Sequence, residues 1–161
     1  MSTRSLAARE NRDGSFDSVF INFGEPNRVG VILTRYYNEE SLVNPLFALG
    51  NLSHIDRAIG YKHSFSQPRA GWCIAFARDR DEENQEPRHS ENIHDLVERA
   101  RHLFIQDVFV WTVNPQTSRK AWAKVKTPEE TEQTTKAIVD ELLHSLHSGA
   151  VPPLGIPLEL D

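Results

Sequence analysis

The chain has 161 residues, 39% hydrophobic and 25% charged, with a formal net charge of −5; this is the composition of one globular domain, not of a disordered or fibrous chain. A single cysteine, Cys73, excludes an internal disulfide and points to a reducing, cytoplasmic setting. No apolar segment follows the basic residues near the N-terminus, and no apolar run reaches bilayer-spanning length, so neither a secretion signal nor a membrane partner is expected.

In chain order, Thr3 to Arg9 reads as a strand leading into Asn11-Arg-Asp-Gly14, where Asp-Gly favours a tight hairpin turn because both residues tolerate positive φ. Phe16 to Phe23 alternates so that Val19, Ile21 and Phe23 share one face, the expected inward one. Gly24-Glu-Pro-Asn27 breaks this strand. Val29 to Tyr37 then carries Val29, Ile32, Leu33 and Tyr36 at helical spacing.

Asn38 is the expected cap of a second helix striped by Leu42, Val43, Leu46 and Phe47 and stopped at Gly50. Pro45 falls inside it, which predicts a kink or a late start. Residues 51–70 show no period. Trp72 to Ala77 reads as a buried strand, Arg78 to Ser90 as a polar acidic loop, and Ser90 as the cap of a helix carrying Ile93, Leu96, Val97, Ala100, Leu103 and Phe104.

Asp107 to Val113 and Ala121 to Lys126 form a hairpin around Asn114 to Ser118. Thr127-Pro-Glu-Glu130 is a capping box with proline at the first helical position, opening a helix striped by Ile138, Leu142 and Leu146. The resulting order is ββ-αα-β-α-ββ-α. It predicts an α+β domain over residues 1–150, with about five strands in an antiparallel or mixed sheet and helices mainly on one face. Residues 151–161 are expected to be an extended proline-rich tail.

Charge is segregated along the chain: residues 79–98 hold eight acidic and two basic side chains, residues 99–126 one acidic and six basic. Such alternation speaks to partners and solubility more than to fold. Asp79, Asp81, Glu82, Glu83 and Glu86 are therefore the candidate partner-binding residues, on a loop leaving the end of a buried strand. Arg119, Lys120, Trp122, Lys124 and Lys126 are the alternative set, since cations with aromatics can follow a nucleic-acid backbone and stack bases. The competing reading of that set is a core tryptophan with cations rimming the sheet.

Seven histidines offer no His-Glu-x-x-His spacing, and one cysteine no Cys-x-x-Cys, so no metal or other cofactor is expected. Cys73, between Trp72 and Ile74, reads as a small buried residue rather than a nucleophile. No catalytic motif is present, and the chain is read as a non-enzyme.

Several segments, taken in order, carry a resemblance: Met1-Ser-Thr-Arg-Ser5, the Asp13-Gly14 turn, Phe23-Gly-Glu-Pro26 with Val29-Gly30, Leu33-Thr-Arg-Tyr-Tyr37, Leu46 to Ser53, and Phe76-Ala-Arg-Asp-Arg-Asp81. Together they resemble a family of small accessory proteins from phages and other mobile elements, over about residues 1–111. Many relatives look like Trp/Phe-Asp-Gly-Tyr-Pro where this chain has Asn22-Phe-Gly-Glu-Pro26. The resemblance implies an accessory gene without established chemistry, whose product binds a host protein complex. The expected function is thus a non-enzymatic binding protein that inhibits a host defence or nucleic-acid-processing complex through its acidic surface. The alternative partner is a nucleic acid or nucleotide, held by the basic hairpin.

Overall fold

The computed structural model describes residues 3–127. It is an α+β arrangement, as the element order predicts, built on an open sheet of seven strands in the order β4-β3-β2-β1-β6-β7, with β5 paired separately to β2. Strand β1 (Ser5–Glu10) lies at the centre, antiparallel to β2 (Phe16–Ile21) and parallel to β6 (Asp107–Asn114). The hairpin partner of β6 is β7 (Arg119–Lys126), with Asn114 opposite Arg119.

Beyond β2 two short strands share one edge. Strand β5 (Arg88–Ser90) pairs with Phe16 to Ser18, and β3 (Leu52–His54) meets Ile21 in parallel. Strand β4 (Ile74–Ala75) completes that end against β3. Neither β3 nor β5 is long enough to show a period of two, which is why both were missed in the sequence.

Helices cover both faces of the sheet, not mainly one. Ala7, Val19, Ile21, Phe109, Trp111 and Trp122 pack with α1 (Pro26–Tyr36) and α2 (Glu40–Ala48). Leu6, Ala8, Phe16, Val108, Val110 and Val125 pack with α4 (Ile93–His102). The central strands are therefore buried on both sides, which accounts for the continuous apolar run from Val108 to Trp111.

Element boundaries move for local reasons. The Gly24-Glu-Pro-Asn27 segment starts α1 rather than merely breaking a strand: Glu25 accepts from the Asn27 and Arg28 amides, and Pro26 sits in the first turn, where its missing donor costs nothing. Phe23 is consequently past the end of β2. It is 54% exposed and stacks on His54 instead of facing inward. Tyr37, just past the end of α1, is the buried tyrosine, and Tyr36 is exposed. Helix α2 begins at Glu40, with Pro45 inside it, and Glu39 at its cap position makes no side-chain bond.

Asn92, not Ser90, caps α4, accepting from the Asp95 amide at 3.0 Å; Ser90 belongs to β5. That helix closes in a Schellman motif, with the Phe104 amide donating to Arg101 O and the Ile105 amide to Ala100 O. Phe104 occupies the left-handed position (φ 58°) where glycine is usual, and its ring is 82% exposed. Phe104→Gly should raise stability by about 0.5–1 kcal/mol, the relief of the left-handed Cβ clash exceeding the entropy glycine adds to the unfolded chain. Denaturant melts decide this, and a lower midpoint would mean the ring is packed.

Thr127 closes the described region. Its amide donates to Gln106 O at 2.6 Å, and its hydroxyl is buried with no hydrogen-bond partner among the described residues. The helix expected from Thr127 onward and the proline-rich tail lie outside the described residues. No helix among the described residues is long and apolar enough to cross a membrane.

Candidate functional site

The acidic segment is not one solvated loop. Its first half is a short helix, α3 (Phe76–Arg80), which takes over where a longer strand was expected. The cause is Asp79. Its side chain is 0% exposed, and Oδ2 accepts from the Ala75 amide at 2.8 Å, turning the chain back on itself at the end of β4.

The same carboxylate accepts from Arg78 Nε (2.9 Å), Arg78 Nη2 (3.2 Å) and the His63 amide (3.2 Å). Burial pushes the Asp79 pKa up, but these donors together outweigh it, and the carboxyl is held below its ordinary value. Arg78 in turn donates to Ile59 O and Cys73 O, each at 2.8 Å. The Arg69 amide can only donate, so His63 Nδ1 accepts from it at 3.0 Å, and Nε2, 2.9 Å from Cys73 O, carries the proton. Arg78, Asp79 and His63 thus fasten the 55–73 segment to β4. Asp79 stands apart from the exposed acidic residues, its oxygens already saturated.

The remaining four carboxylates differ among themselves. Asp81, in the left-handed region at φ 52°, is 79% exposed at its side chain and bound by Lys62 Nζ at 2.7 Å. Glu82 is bound by Arg80, whose guanidinium also lies 4.3 Å from the Phe65 ring centroid. Glu83 and Glu86 are exposed and have no ion-pair partner among the described residues.

What holds this loop is a pair of residues that carried no site signal in the sequence, Gly50 and Asn51. Gly50 has φ 76°, and a Cβ there would sit 2.1 Å from Gln85 O, so the loop carbonyl rests where only glycine leaves room. The Asn51 amide donates to Gln85 O (2.8 Å) and Asn51 Nδ2 to Gln85 Oε1 (3.1 Å). Asn51 Oδ1 accepts from the Phe20 amide at 3.0 Å. That amide falls in the gap between β5 and β3 along the β2 edge, so a side chain stands in for a missing strand. The Leu49-Gly-Asn-Leu52 run therefore welds β2, β3 and the acidic loop together.

The basic residues do not form one surface. Arg99 and Arg101 lie on α4, whereas Arg119, Lys120 and Lys124 lie on β7. Trp122 is 3% exposed; its ring stacks on Phe47 (centroids 6.5 Å apart, planes at 11°), and its Nε1 donates to Tyr37 O at 2.8 Å. A ring so enclosed is not open to a nucleobase. Lys120 pairs with Glu40, and Lys124 lies 3.3 Å from Asp107. Arg119 is exposed at the hairpin tip, and Lys126 is the last residue of β7.

Cys73 is fully buried. Its Sγ lies 3.4 Å from the Tyr37 hydroxyl and accepts from the Asp56 amide, and burial pushes the thiol pKa up. It is held as a neutral thiol, the form least reactive as a nucleophile. Among the described residues no three His, Cys, Asp or Glu side chains converge as a metal site. Comparison with family models, with curated proteins and with solved structures returned no match.

Proposed function

We propose that this chain is a non-catalytic binding protein of a phage or other mobile element, docking on a host protein complex through the acidic loop Asp81 to Glu86. The observation that carries the reading is the way Gly50 and Asn51 pin Gln85, which presents Glu83 and Glu86 to solvent on a preformed loop, with no ion-pair partner among the described residues. A preformed loop loses little conformational entropy on binding, and unpaired carboxylates steer a basic partner surface toward it. The partner chemistry this fits is a cationic protein face such as the nucleic-acid groove of a defence or nucleic-acid-processing complex. The resemblance of its short motifs, in their order, to those of mobile-element proteins points to the same context.

Affinity capture from bacterial lysate tests the reading with the wild type, a Glu83→Lys/Glu86→Lys variant and an Arg119→Glu/Lys120→Glu variant. Each exposed substitution should change stability by no more than about 0.5 kcal/mol, so circular dichroism should find both variants folded. The acidic-loop reversal should abolish capture, and the hairpin reversal should leave it intact. In the wild type, capture should weaken as salt rises. Loss confined to the hairpin variant would overturn the acidic reading and assign the function to the basic strand.

A further inference from the structure

Outside the acidic loop, the described residues line an open groove of about 400 Å³ between β5 and α4. Arg88 lines it from the strand and Arg99 from the helix. Among the described residues neither arginine has an acidic partner, and Arg99 Nε is buried with no hydrogen-bond partner. The groove also carries two carboxylates, Asp95 and Glu98, and two histidines, His89 and His102. Glu98 is bound by Arg101 at 2.8 Å, Asp95 accepts from the Glu91 amide at 3.2 Å, and His89 lies 3.3 Å from Asp17.

A buried guanidinium donor without an acceptor is costly, and a second cation beside it adds repulsion. Burial first, and then the charge of Arg88, push the Arg99 pKa down. An anion with several oxygens, bound by the terminal nitrogens of the two guanidinium groups, offsets the like-charge repulsion, because planar guanidinium forks match phosphate geometry in a way lysine does not. The volume suits a ligand of mononucleotide size, and Leu103 and the exposed His102 supply an apolar and a flat surface beside the cations.

We infer that the β5–α4 groove is a binding site for a phosphate-bearing small molecule, its phosphate held between Arg88 and Arg99. This goes beyond the acidic-loop reading and uses none of its residues.

Calorimetric titration of the full chain with inorganic phosphate, adenosine monophosphate and adenosine tests it. Phosphate and the monophosphate should bind the wild type, and adenosine should not. Arg99→Met and Arg88→Gln should each weaken binding at least about tenfold, while Arg35→Gln, exposed on α1 across the sheet from α4, should bind as the wild type does. Arg88 is exposed, so its variant remains informative if the substitution at Arg99 disturbs the fold. Tighter binding of the monophosphate than of phosphate would identify a nucleotide-like ligand, and equal binding would identify free phosphate; either supports the site. Absence of binding to the wild type would overturn it. So would binding unchanged in both arginine variants, or adenosine binding as well as its monophosphate.

Discussion

Asp79→Ala is expected to cost about 3–5 kcal/mol, the range for removing one partner of a buried ion pair. The loss is large because the carboxylate serves four donors: two nitrogens of Arg78 and the amides of Ala75 and His63. Without it the Arg78 guanidinium stays largely enclosed and keeps only the Ile59 and Cys73 carbonyls. Asp79→Asn keeps one acceptor oxygen and loses the charge, so it should fall between the wild type and alanine in denaturant melts.

The pH dependence gives a second signature. The folded-state pKa of Asp79 lies below the ordinary 3.8, so its contribution is complete above 3.8 and is lost as pH falls through the folded value. The stability gap between wild type and Asp79→Asn should therefore shrink on acidification below 3.8. A gap that does not change with pH would mean the Arg78 pair is not what stabilises the bend between β4 and α3.

Trp122→Ala is expected to cost a comparable 3–5 kcal/mol, the range for truncating a large buried aromatic. Trp122 lies between Phe47 and Trp111, with ring centroids at 6.5 and 5.4 Å, and couples the β6–β7 hairpin to α2. Its indole donor also fixes the Tyr37 carbonyl just past the end of α1. Trp122→Phe keeps most of the ring and loses the donor, so a loss of about 1–3 kcal/mol should remain, from the orphaned carbonyl. Thermal or denaturant unfolding separates the two effects. A loss under about 1 kcal/mol for the alanine variant would return Trp122 to the surface and with it the base-stacking reading of β7.

The features legible from sequence alone were those written within a few residues. The Asp13-Gly14 turn, the apolar period of α4 and the hairpin near Asn114 each follow from local backbone preference or from a repeat long enough to count. They sufficed for the α+β class. They did not reveal that helices cover both faces, because the parallel pairing of β1 with β6 joins segments about a hundred residues apart, and no local pattern records which strands become neighbours.

The site was read less well for the same reason. Composition marked Asp79 to Glu86 as one acidic loop, and a run of like charges is ordinarily solvated. Which of those carboxylates is buried depends on the Ala75 amide, on Arg78 reaching Ile59 and Cys73, and on His63 arriving from another segment. Gly50 and Asn51 read as a helix stop and its neighbour until Gln85 is laid against them. Sequence by itself determined which residues carry charge and those elements whose pattern is long or local enough to read, such as α4 and the β6–β7 hairpin. Tertiary structure decided which charges are consumed in holding the fold, since a side chain's protonation, exposure and partners are set by groups distant in the chain and close in space.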